Sequence, residues 1–183
     1  MKVFLDMDGV LMDFDRALHE NGLFVWNQRP GNRTYHHLPP HEWTEEEAEH
    51  DKEISKLMAH SEFWEGIKPM ADAHLLWDYC RPLHADVLTA RPRNEEAAQR
   101  VSAAKVGSIW KYFDGAFDPR HIHICLRSEK ANFAVWPDGL SQPNILVDDL
   151  PGNCEDWVRA GGIAILHTDA VTTIKKLSEL YHD

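Results

Sequence analysis

Asp6, Asp8, Thr89, Lys130, Asp148 and Asp149 are the side chains of this 183-residue chain whose types and spacing can do chemistry together. Asp6 and Asp8 stand either side of one residue at the end of the apolar run 2–5, and Gly9 follows. Taken alone, two such carboxylates describe an ordinary strand-to-loop turn. Their company argues for more. Thr89 closes the apolar run 86–89, Asp148-Asp149 closes the run 144–148, and Lys130 opens the segment after the run 121–125. In an open α/β sheet the strand C-termini share one edge, and ligands bind there. Carboxylates gathered at such an edge repel one another and need a cation, and hard oxygen ligands select Mg²⁺. The set suits phosphoryl transfer. One carboxylate attacks phosphorus, a second moves the proton of the leaving oxygen, and a hydroxyl and an ammonium bind the equatorial oxygens.

That reading requires the runs to be parallel strands. The short β-branched runs 2–5, 86–89, 121–125, 144–148 and 162–166 predict five strands. Between them, helical spacing predicts helices at 71–80, 95–112, 128–135, 153–160 and 170–181. Ala73, Leu76, Trp77 and Cys80 form the inner face of the first, Asn94 caps the second, Pro151-Gly152 is a turn, and Thr168 or Asp169 caps the last. Strands alternating with helices predict an α/β fold, a Rossmann-like three-layer arrangement with a parallel sheet between helices. Residues 15–65 break that rhythm. A helix starts at 14–18, a polar turn-rich run occupies 27–33, Pro39-Pro40 closes it, and 42–59 is acidic and helical. Trp43, Ile54, Leu57 and Met58 are its inner positions, and Glu45, Glu46, Glu47 and Glu49 its solvated face. The segment 15–65 therefore reads as a small helical cap inserted into a core of residues 1–14 and 66–183.

Composition sets the bounds. At 43% hydrophobic and 27% charged residues, the chain can bury a core. A formal charge of −11 excludes a general polynucleotide binder and leaves room for a small anion held by a metal and a few cations. Cys80, Cys125 and Cys154 are odd in number and widely spaced, which suits free, buried thiols in a reducing compartment. No leader segment and no apolar stretch of membrane-spanning length are visible, so the expectation is a cytoplasmic protein without a membrane partner; a homodimer is left open.

The segments Asp6-x-Asp8-Gly9-Val10-Leu11, Val87-Leu88-Thr89, Lys130 and Leu146-Val147-Asp148-Asp149 resemble, in order, the motifs of the haloacid dehalogenase superfamily of phosphatases. The resemblance implies that Asp6 is nucleophile and metal ligand. It implies that Asp8 is the general acid/base, with its carbonyl on the metal. Thr89 and the neighbouring position 90 would bind phosphate with Lys130, Asp148 would complete the Mg²⁺ ligands, and Asp149 would support them from behind. A narrower likeness, in residues 6–14 and in Glu62-Phe63-Trp64 before Pro69-Met70, is to the 5'(3')-deoxyribonucleotidase family. It implies a nucleoside monophosphate as substrate, with Phe14, Phe63 and Trp64 stacking the base. Packing of the cap onto the core is the competing reading of Phe63 and Trp64. Two positions depart from that family. Ala90 stands where a second hydroxyl is usual, and Glu129 where aspartate is. Arg91 either replaces the lost phosphate contact or faces solvent.

The expected function is thus a Mg²⁺-dependent phosphatase of small phosphomonoesters. A sugar phosphate or other metabolite is the alternative substrate, and a non-catalytic phosphate sensor the alternative role. His36, His37 and His41 read as surface residues, His121 and His123 as satisfied residues of one strand face, and Trp26, Trp43, Trp110, Trp136 and Trp157 as packing residues.

Overall fold

The structure, a computed structural model, describes residues 1–23, 40–113, 119–137 and 142–182. The expectations for Trp26, the polar run 27–33, His36, His37 and Pro39 lie outside the described residues. The chain forms a parallel sheet of β1 (Val3–Leu5), β2 (Asp86–Ala90), β3 (Ile122–Cys125), β4 (Ile145–Asp148) and β5 (Ile163–Leu166), in the order β3-β2-β1-β4-β5. Leu5 pairs with both Val87 and Val147, so the first strand is central and its C-terminal end is flanked by those of β2 and β4. Every pairing is parallel, which brings all strand ends of one kind to one rim.

Successive strand side chains point to opposite faces. Val3, Leu5, Val87, Ile122, Ile145, Val147 and Ile165 build one core layer. Phe4, Leu88, Cys125 and Leu146 build the other, with Ala134 and Trp157. The first layer is covered by α4 (Ala73–Cys80), α5 (Glu95–Tyr112) and α7 (Ala170–His182); the second by α6 (Pro151–Arg159) and a 3-10 segment, Arg127–Phe133. This is the three-layer α/β arrangement expected. The segment between β1 and α4 carries α1 (Phe14–Glu20), a 3-10 turn at Pro40–Glu42, α2 (Glu45–Met58) and α3 (Ser61–Gly66). Among the described residues no helix is long and apolar enough to cross a membrane.

Local chemistry sets the helix ends. Asn94 Oδ1 accepts from the amides of Glu96 (2.9 Å) and Ala97 (3.2 Å), and so starts α5. Asp169 caps α7 by accepting from Thr172 N at 2.8 Å. Three local expectations are corrected. Pro151 and Gly152 lie inside α6, because proline suits a first helical turn, where its missing N–H has no partner to lose. Residues 127–133 wind as a 3-10 helix. Glu47 is buried rather than solvated, because it closes a capping box with Thr44: Thr44 N donates to Glu47 Oε2 at 2.7 Å and Glu47 N to Thr44 Oγ1 at 3.2 Å. Trp157 packs fully buried as expected, but Trp110 and Trp136 keep 42% and 41% of their surface exposed.

At the opposite end of the sheet, Asp86 opens β2 and takes Lys2 Nζ (2.7 Å), His121 Nδ1 (2.7 Å) and His123 Nε2 (2.8 Å). Burial pushes this carboxyl up, but these hydrogen bonds outweigh it and hold it below its usual range. Both histidines are thus satisfied as expected, although His121 stands in the 3-10 turn Pro119–His121 just before β3 rather than in the strand.

Beyond β5, His167 is buried; its Nδ1 shares a hydrogen with Thr173 Oγ1 (2.8 Å), and Nε2 has no hydrogen-bond partner. Burial lowers its pKa below the ordinary 6.5, so the fold favours the neutral ring. The unfolded chain therefore takes up this proton first as pH falls. The stabilisation is complete above about pH 6.5 and is lost progressively below it. His167→Gln is expected to flatten the decline of Tm below about pH 6.5 relative to wild type. The comparison isolates His167, since the buried carboxylates titrate in both proteins; equal slopes would reject the assignment.

Candidate active site

The rim of the sheet is built by one tight loop and three strand ends. Asp6 leaves β1 with its amide donating to Val147 O (2.9 Å), and its Oδ1 accepts from Met7 N (2.7 Å). Leu11 N and Met12 N both return to Met7 O, and Gly9 N donates to Met12 O at 2.8 Å. Such a curl requires a left-handed residue, and Gly9 supplies it with φ of 76°. A side chain here would also meet the carboxyl of Asp149: a Cβ would lie 2.6 Å from its Cγ. Gly9→Ala is expected to cost about 1–3 kcal/mol of stability and to displace Asp149 from the rim. Thermal unfolding with and without Mg²⁺ checks this, and an unchanged Tm with an unchanged metal response would contradict it.

Asp6, Asp148 and Asp149 each bring one carboxylate oxygen within 4.8 Å of the others. Lys130 Nζ lies between the first two, 2.8 Å from Asp6 Oδ2 and 2.8 Å from Asp148 Oδ2. Asp148 is held further by Asn153 Nδ2 (2.9 Å to both oxygens) and by Leu150 N (2.9 Å), while Arg127 Nε fixes Asn153 Oδ1 at 2.8 Å. Burial pushes Asp6 well above the carboxylate range; Lys130 opposes this, and Asp148, Asp8 and Asp149 add to it. Asp149 is pushed up to about 7, by burial first and then by Asp148. Lys130 is raised despite its burial, by Asp6 and Asp148. Three carboxyl groups share one ammonium, so keeping all three ionised calls for a further cation, and their donor atoms are all hard oxygens. The set fits a small hard cation such as Mg²⁺.

The second aspartate sits beside this group with a partner that sequence reasoning missed. Lys105 of α5, 1% exposed, donates to Asp8 Oδ2 (2.6 Å), Thr89 Oγ1 (3.0 Å) and Ala90 O (2.9 Å). Its Nζ lies 4.0 Å from the centre of a Trp64 ring. Asp8 Oδ1 is buried without a hydrogen-bond partner. Thr89 is fully buried, and its hydroxyl, accepting from Lys105, retains its own hydrogen to donate.

The structure thus brings Asp6, Asp8, Thr89, Ala90, Lys130, Asp148 and Asp149 to one rim. Three placements differ from expectation. Asp149 is expected behind Asp6 and Asp148, but Gly9 leaves room for its carboxylate to stand beside theirs. Trp64 has no exposed surface and Phe63 keeps 6%, so neither presents a face for a base; they pack against Phe14 and each other, with ring centroids 4.9–5.9 Å apart. Phe14 itself is half-buried. Arg91 turns to its own loop, donating to Glu95 Oε1 (3.1 Å) and Pro92 O (3.2 Å). The cysteines are free, and burial pushes Cys80 and Cys154 up to about 12 and Cys125 up to about 11, so none is a ready nucleophile.

No protein-family model matches the chain, and no curated protein does. Solved structures do. A haloacid dehalogenase-like family hydrolase from Streptococcus pneumoniae aligns at 13% identity over 89% of this chain and 82% of its own, with a TM-score of 0.51. Another hydrolase from the same organism aligns at 14% identity over 97% of both chains, with a TM-score of 0.45. A HAD family hydrolase from Deinococcus radiodurans, which has bound phosphate and sodium, aligns at 13% identity over 89% of this chain and 78% of its own, with a TM-score of 0.40. The first of these likenesses is one of fold.

Proposed function

We propose that this chain is a Mg²⁺-dependent phosphatase of small phosphomonoesters, with residues 15–65 as a small cap beside the site. The observation that carries the reading is the group Asp6, Asp148 and Asp149, with Lys130 bridging the first two and Asp8 two residues after Asp6. Asp6, Asp148 and Asp149 would hold the cation, with the carbonyl of Asp8 implied by the resemblance. Bound there, Mg²⁺ supplies charge neutralisation at the phosphate oxygens.

The side chains then divide the reaction. An Asp6 carboxylate oxygen forms a bond to phosphorus as the ester P–O bond breaks, giving an aspartyl phosphate. Asp8 gives a proton to the departing alkoxide. Asp8 then takes a proton from water, whose oxygen attacks phosphorus, releasing inorganic phosphate and restoring Asp6. Lys130 and the Thr89 hydroxyl bind the equatorial oxygens, where charge is spread in the transition state.

Within this class, the substrate we propose is a nucleoside monophosphate, on the likeness of residues 6–14 to the deoxyribonucleotidases, with Phe14 as the stacking face. One observation favours a broader reading: Trp64 is fully buried, so the aromatic pair offers a base little surface. Phosphate release from nucleoside monophosphates and sugar phosphates, with and without Mg²⁺, tests both levels. EDTA is expected to abolish turnover on every ester, and Mg²⁺ to restore it; undiminished turnover in EDTA would reject the metal role. Faster release from nucleotides, reduced in Phe14→Ala, supports the narrower substrate, and equal rates on all esters reject it.

A further inference from the structure

An ammonium group has three hydrogens, and in Lys105 each has an acceptor: Asp8 Oδ2, Thr89 Oγ1 and Ala90 O. The face of Trp64, 4.0 Å from Nζ, closes another side. A lysine on a flexible four-carbon stem does not hold one geometry unaided. Here the three acceptors and the indole face surround it together. Trp64 is itself fixed at several points. Its Nε1 donates to Met58 O at 2.8 Å, its carbonyl accepts from the Ser108 hydroxyl, and its ring stacks on Phe14 with centroids 5.9 Å apart. Cation–π attraction is strongest where water is excluded, and both partners are buried.

We propose that Trp64 is a positioning residue for Asp8, acting through Lys105. The buried ring holds the ammonium against Asp8 Oδ2, which fixes the carboxyl and keeps its other oxygen, Oδ1, unbound. Helix α3 is thereby tied to the proton-transfer step. This role replaces base stacking as the use of Trp64. It rests on reading Asp8 as the acid that protonates the leaving oxygen.

Leaving-group dependence tests it. An alkyl phosphate needs that proton, whereas p-nitrophenolate departs without much help. Trp64→Leu is expected to lower kcat/KM, which reports the steps up to release of the alcohol and not the later hydrolysis common to both esters, by on the order of 10²-fold on an alkyl phosphomonoester and by less than ~10-fold on p-nitrophenyl phosphate. The same discrimination is expected of Lys105→Met. In a Lys105→Met background Trp64→Leu should cost almost nothing further, because the two act as one unit. Trp64→Phe keeps an aromatic face and should show the discrimination at a few-fold scale; it carries the test should the leucine variant not fold. Equal losses on both esters, or losses that multiply in the double variant, would overturn the proposal. Full activity of Asp8→Asn on the alkyl ester, or no phosphate release from either ester by the wild type, would overturn the reading of the site, and the proposal with it.

Discussion

Asp6→Asn is expected to lower turnover by on the order of 10⁴-fold or more while leaving the fold intact. The amide cannot act as the nucleophile, and it removes one anionic oxygen from the group with Asp148 and Asp149. It keeps the size of the side chain and an oxygen for the amide of Met7. Because burial already pushes the Asp6 carboxyl well up, a neutral group is well accommodated there in the absence of a cation. The amide loses the ion pair with Lys130, which keeps its bond to Asp148, so thermal unfolding in EDTA is expected to show a smaller loss than removal of Lys130 itself, and the response to Mg²⁺ to weaken. Wild-type phosphate release by this variant would remove Asp6 from the chemistry.

Lys130→Met has the opposite balance, with a large effect on both fold and activity. Lys130 is 3% exposed, and its ammonium makes two 2.8 Å bonds, to Asp6 and Asp148. Methionine preserves the length and apolar character of the stem, so the loss is one of charge rather than volume. Without the ammonium, neighbouring carboxylates are buried facing one another. Breaking a buried pair by removing one partner costs about 3–5 kcal/mol, a substantial part of the stability of a domain this size. Denaturant unfolding in EDTA should show that loss, and phosphate release should vanish with it. An unchanged unfolding midpoint would mean that the carboxylates do not depend on Lys130.

The two variants also show what the sequence can and cannot disclose. Asp6, Asp8, Thr89 and Asp148 were legible because each ends or follows an apolar run, and a parallel sheet brings such ends together whatever the loops do. Lys130 was legible by order along the chain. Lys105 was not: it lies within an 18-residue helix rich in charged and small residues, where one more lysine reads as surface. One signal was available. On α5, Val101, Ala104, Lys105, Ser108 and Ile109 recur at three- and four-residue spacing, so Lys105 falls on the buried face. A buried lysine needs an acid, and the loop after β1 has one. Asn153 escaped for a different reason, since the proline at the start of α6 was read as a turn, which hid the helix turn that aims Asn153 at Asp148.

The aromatic pair marks the limit of pattern. Phe63 and Trp64 are adjacent in sequence and were compatible with either stacking or packing. Their burial, the Trp64 hydrogen bond to Met58 and the ammonium over its ring settle their surroundings, which no spacing rule encodes. Gly9 is a related case. Its place after Asp8 suggested a turn, but the close approach of Asp149 gives it a second reason to lack a side chain.

In the proposed reaction Asp6 attacks phosphorus and carries it covalently. Borohydride reduces an acyl phosphate to the alcohol, so enzyme quenched during turnover of p-nitrophenyl phosphate with Mg²⁺ can be reduced and its peptides read by mass spectrometry. The predicted result is homoserine at position 6, absent when substrate is withheld. Phosphate release with an unmodified Asp6, or with homoserine at another aspartate, would contradict it.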